Sequence, residues 1–136
     1  MRMFSGCIIT ALLAATPAMA DEAWKTDLGE IIWETDYDGG AIFRIETGKG
    51  KFARFYIEGL EPTDAPRGHF EGYWINTDDE TMCSAELVGP DGTRSKTWGR
   101  LSLTFVDKGF PSDWTALTGE CMAEPHEVIT GRAVTG

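Results

Sequence analysis

Beyond its first twenty residues the chain carries short apolar runs, each broken by Gly, Pro, Asp or Asn, and no stretch sustains a helical stripe. The alternation predicts strands. Ile31 and Trp33 alternate with Glu30, Ile32 and Glu34 over 30–35, and Asp36-Tyr37-Asp38-Gly39-Gly40 then supplies an Asp-Gly hairpin signal. A second strand over 41–47 sets Ala41, Phe43 and Ile45 against Ile42, Arg44 and Glu46. Gly48-Lys49-Gly50 turns the chain into a third, 51–58, apolar on parts of both faces.

After a longer loop with two prolines, 59–68, a fourth strand spans 69–75, with Phe70, Gly72 and Trp74 opposite His69, Glu71 and Tyr73. The pattern places a fifth over 81–88, with Cys83, Ala85 and Leu87 on one face. A sixth, 97–106, is the most regular, since Leu101, Leu103 and Phe105 alternate with Arg100, Ser102 and Thr104. A seventh over 114–121 and an eighth over 128–134 complete an antiparallel meander. An open sheet of eight strands would leave an apolar face wet, so the expected fold is all-β, closed as a small β-barrel, with a β-sandwich as the alternative.

The first twenty residues read differently. Arg2 is their single charge, 7–15 is apolar, and Ala18-Met19-Ala20 precedes Asp21 as a small-x-small cleavage site. They are expected to be a cleaved signal peptide, 1–20, leaving one β domain, 21–136, in the periplasm or secreted. At roughly a dozen residues the apolar run is short of the ~20 needed to span a bilayer, and no membrane span is expected.

Removal of Arg2 makes the protein one unit more negative than the −10 of the full sequence. Such acidity argues against nucleic acid and allows a cationic protein as partner. Removal of Cys7 leaves Cys83 and Cys121, an even pair in an oxidising compartment, and a disulfide is expected. Closing a loop of roughly 39 residues is worth about 4 kcal/mol of chain entropy. The bridge strains a strict meander, because strands at 81–88 and 114–121 would run the same way with another between them, whereas bridged Cα atoms lie within about 7 Å. Either barrel tilt offsets the strands, or the chain beyond Gly119 bends across a barrel end, or the strand count or the bridge is wrong.

Candidate chemistry is sparse. Asp36-Tyr37-Asp38-Gly39 begins like a calcium loop but lacks the later ligands, and a hairpin turn is favoured. Asp78-Asp79-Glu80 reads as a solvated turn, so no metal site is expected. The only histidines, His69 and His126, have no nucleophile motif nearby, and no phosphate or dinucleotide loop occurs. Neither catalytic residues nor a cofactor are expected. Two basic groups, Arg44, Lys49, Lys51, Arg54 and Arg94, Lys96, Arg100, read as charge-balanced faces.

The remaining constellation is aromatic: Trp33, Phe43, Phe55, Phe70, Trp74, Phe105 and Trp114, several facing inward, could line a ligand pocket or fill the core. Trp74 on one strand and Ala116-Leu117-Thr118-Gly119 on another resemble avidin-like and lipocalin-like small barrels in architecture, without their ligand residues. Periplasmic lysozyme inhibitors are similar in class, combining a small barrel, a disulfide and export. The leading expectation is a non-enzymatic exported barrel that binds a small apolar or amphipathic ligand. The alternatives are an interaction or inhibitor module of the cell envelope and a small enzyme using carboxylates or His69.

Overall fold

Alternating side chains on a pleated strand separate an inner from an outer face, and here the inner set is continuous enough to close the sheet on itself. The computed structural model describes residues 22–48, 50–61, 67–77, 81–106 and 112–134. Within them lie β1 (Ala23–Thr26), β2 (Gly29–Tyr37), β3 (Gly40–Gly48), β4 (Lys51–Glu58), β5 (His69–Asn76), β6 (Leu87–Val88), β7 (Arg94–Ser95), β8 (Trp98–Phe105), β9 (Trp114–Thr118) and β10 (Glu127–Ala133), with no helix among the described residues. Eight of these strands form a closed antiparallel barrel in the order β1-β2-β3-β4-β5-β8-β9-β10, sealed where β10 pairs with β1. The fold is a β-barrel rather than a sandwich.

Eight is also the number of strands expected from the sequence, but the set differs by one exchange. β1 was not among the expected strands. It is four residues long, and its Trp24 is fully buried. The expected barrel strand over 81–88 is absent: 83–85 is a bend, and Leu87–Val88 pairs only with Arg94–Ser95 as a small ribbon outside the barrel. The expected strands at 97–106, 114–121 and 128–134 correspond to β8, β9 and β10, with the seventh ending early at Thr118. The leader, 1–20, lies outside the described residues, as does Asp78-Asp79-Glu80.

This exchange resolves the problem of the disulfide. Cys83 and Cys121 are bonded, with Cα atoms 5.6 Å apart. Both sit beside the first residue of β8: the Trp98 carbonyl accepts from the backbone N–H of Cys121 at 2.8 Å, and Cys83 N–H donates to Lys96 O at 2.8 Å. With the cysteine-bearing segment outside the sheet, the chain beyond Gly119 meets it at one barrel end without crossing a strand.

On the inner face the fully buried Trp24 stacks on Phe43 at 4.7 Å between ring centroids and meets Trp114 edge-on at 6.0 Å. Gly131 makes room for Trp114, since a Cβ there would lie 2.4 Å from the indole. This half of the barrel is closed at its end. The Arg67 guanidinium makes two parallel bonds to the Glu22 carboxylate at 2.8 and 2.9 Å, over the rings of Trp33 and Phe105. Trp24 Nε1–H donates to Ser112 O at 2.8 Å in the same region. A paired and stacked guanidinium seals the end without an uncompensated charge.

A second cluster lies outside the barrel, where Ile42, Tyr56 and Ile75 are covered by Leu87 and Trp98 and flanked by Tyr37 and Tyr73. The ribbon is clasped to it, with Tyr56 O–H donating to Asp91 Oδ1 at 2.9 Å and Trp98 Nε1–H to Ala85 O at 2.8 Å. Burial, aided by the nearby Tyr37, Glu58 and Asp91, pushes the Tyr73 phenol up to about 12. Burial also holds Tyr56 above its ordinary value. An unfolded tyrosine ionises near 10, so the fold favours the protonated phenols, and their stabilisation is intact below about pH 10 and is lost as pH rises towards the folded values. Absorbance at 295 nm is expected to show phenols titrating late, with circular dichroism falling over the same alkaline range. Ionisation of Tyr56 and Tyr73 near pH 10 with no loss of structure would contradict the burial.

Candidate functional site

The end of the barrel away from Arg67 is open. The β1–β2 turn, Gly50 after β3, the 81–97 segment and the 119–126 loop lie at this end, and strand polarity brings the inward residues of eight strand ends to one mouth. Inside is a cavity of about 360 Å³, within the usual range for small-ligand sites though near its lower limit. Its wall is mostly apolar, formed by Leu28, Ile45, Ala53, Phe55, Trp74 and Ile129, with the uncharged polar groups of Thr47, Asn76 and Thr118.

Sheet register explains why the cavity is here. Trp33, Phe43, Phe55, Trp74 and Gly99 are successive partners across β2, β3, β4, β5 and β8. Because barrel strands tilt, this row runs from the packed half into the open half. The next row towards the mouth, Ile31, Ile45, Ala53 and Asn76, contains no aromatic ring. Aliphatic and amide side chains, with Ala53 the smallest, stand where the row above is mostly aromatic and leave the volume unfilled.

Trp74 is fixed as the cavity wall. Its Nε1–H donates to Gly119 O at 3.0 Å, and Gly99 leaves space behind it, since a Cβ there would approach Trp74 Nε1 to 2.6 Å. The disulfide holds the 119–126 loop that supplies this carbonyl. Apolar surface continues onto the rim: Leu28 is 63% exposed and Met122, next to Cys121, is 74% exposed.

Of the seven aromatic candidates, the structure brings Phe55 and Trp74 together at this cavity. Trp33, Phe43, Phe105 and Trp114 are buried in the packed half, and Phe70 is half-buried against them, edge-on to Phe105 at 6.1 Å. Leu28, Ile45, Thr47, Ala53, Asn76, Thr118 and Ile129 were not among the candidate ligand residues, although Thr118 lies in the 116–119 stretch that resembles other small barrels. The available signal was small or β-branched residues at inward positions near strand ends.

Other candidates lie elsewhere. His69 faces outward on β5 and is exposed, with one ring nitrogen 2.8 Å from Thr104 Oγ1 and the other 2.6 Å from Glu71 Oε2. Hydroxyl, imidazole and carboxylate are thus in line, but none of the three lines the barrel cavity or the second hollow, of about 310 Å³, formed by Glu30, Ile32, Arg44 and Glu46. The Asp36 carboxylate accepts from Trp33 Nε1–H at 2.7 Å, bracing the β2–β3 hairpin whose turn uses Gly39 at φ 105°. Among the described residues no three His, Cys, Asp or Glu side chains converge on one point.

The basic groups are matched by acids. Arg54 pairs with Glu34 at 2.8 Å and lies 3.5 Å from Asp91, Arg94 pairs with Glu86 and Arg100 with Glu124. Burial opposes ionisation of Asp91, but bonds from the Thr93 backbone, Tyr56 and the Thr93 hydroxyl, with Arg54 nearby, hold its carboxyl below the usual range. Lys49 lies outside the described residues. No helix among the described residues is long and apolar enough to cross a membrane. Searches against protein-family models, curated proteins and solved structures find no match to this chain.

Proposed function

We propose that this protein is an exported, non-enzymatic binding barrel that takes a small apolar or amphipathic molecule into its open end. The observation that carries the reading is an apolar cavity of about 360 Å³ at one end of a barrel whose other half is filled and sealed. A chain that only needed a core would gain by filling it, since each buried methylene is worth about 0.8 kcal/mol. Trp74, held from behind by Gly119, offers a rigid ring at low entropic cost. Export is supported by the leader-like first twenty residues and by a disulfide compatible with an oxidising compartment.

Ala53→Leu tests the reading by extending an inward side chain into the cavity. Native mass spectrometry of protein purified from an envelope fraction is expected to reveal a small co-purifying mass that Ala53→Leu lacks. The variant should stay within about 1.5 kcal/mol of the parent, because the new methyl groups enter existing space. A parent protein that carries no ligand and leaves apolar probes such as octanol unbound would reject the proposal.

A further inference from the structure

The cavity wall carries no charged side chain, so selection by charge must occur at its lip. The inward alternation of β10, through Ala133, Gly131 and Ile129, continues to Glu127, which pairs in register with the cavity residue Thr118. Glu127 is exposed at the mouth and takes part in none of the ion pairs among the described residues. On the opposite side of the barrel the inward alternation of β4 ends at Lys51, which is half-buried and already engaged by another group. Asp27, Glu46 and Glu120 are exposed at the same end and with Glu127 outnumber the exposed Lys25 and Lys96 there, on a chain of net charge −10. A negative field at the mouth of an apolar cavity raises the local concentration of cations and lowers that of anions.

We propose that the cup selects a cationic amphiphile, with its uncharged body in the cavity and an ammonium or similar cation at the lip beside Glu127. This rests on reading the cup as a ligand site and adds the charge of the ligand. Lipophilic amines and quaternary ammonium compounds fit this description, whereas fatty-acid carboxylates do not.

Three ligands with the same eight-carbon chain separate the two claims: octylamine, octanol and octanoate, titrated calorimetrically at pH 7 and low salt. Octylamine is expected to bind tightest, about two- to fivefold over octanol, the range for one solvent-exposed ion pair, with octanoate weakest. The spread should narrow at high salt. Glu127→Gln is expected to remove the advantage of the amine while leaving octanol unchanged. If octanoate equals or exceeds octylamine, or the amine keeps its advantage in Glu127→Gln, charge selection by this lip is wrong while the apolar cup stands. If none of the three binds, the ligand site itself is rejected, and this inference with it.

Discussion

Replacing both Cys83 and Cys121 with serine is expected to lower unfolding stability by about 4 kcal/mol, the chain entropy released when a bridge spanning this separation is removed. The bridge joins positions 38 apart and ties two segments that lie outside the barrel sheet. Its loss should therefore act mainly on the unfolded chain and on the 81–97 and 119–126 segments, leaving the eight-stranded barrel recognisable. Urea unfolding of the double variant, beside the parent with and without reductant, measures the effect. A reduced parent and a double variant that both unfold within 1 kcal/mol of the oxidised protein would show that the bridge adds little. Because Trp74 leans on the carbonyl of Gly119, two residues before Cys121, the variant is also expected to show altered tryptophan fluorescence.

Trp24→Ala should cost about 3–5 kcal/mol, the usual range for truncating a large buried ring. Trp24 is fully buried, stacks on Phe43 and ties β1 to Ser112 through its indole N–H. The substitution removes a ring contact, a hydrogen bond and the main inward anchor of the strand that closes the barrel. Met122→Ala, at a position 74% exposed, provides the contrast, with an expected change within about 0.5 kcal/mol. Similar melting temperatures for the two variants would mean that β1 is not needed to hold the barrel shut.

The importance of Trp24 was hard to read from the sequence. Ala23-Trp24-Lys25-Thr26 offers one inward apolar residue, too little for an alternating pattern, and its place comes from partners at both ends of the chain. The segment 81–88 erred in the opposite direction. Its alternation is real, and Leu87 is indeed packed, but against the outer face around Tyr56 rather than the barrel interior. Alternation reveals that one face is covered, not what covers it. The longer strands, by contrast, carried three or four inward residues each, and barrel closure followed from them.

The cavity was less legible for a different reason. Aromatic residues stand out in a sequence, yet most of these fill space, and a cavity is made where bulk is missing. Ala53, Thr118 and Gly99 create the room around Phe55 and Trp74 only because the register places them near the mouth. That register depends on the β2 bulge between Trp33 and Thr35 and on the exchange of β1 for the 81–88 segment. No local pattern contains this information.

The seam between β1 and β10 also has a consequence for the order of folding. Seven of the eight barrel ladders join strands that follow one another around the meander, while the last pairs Trp24 with Ala133 and Lys25 with Arg132. A folding chain can form its early hairpins, but it cannot close the cylinder until β10 is available to pair with β1. Such a long-range contact costs loop entropy before any contact repays it, which makes closure a late and slow step. Until then Trp24 has no complete core to enter, so its burial is expected to come with closure of the β1–β10 seam rather than with the early hairpins.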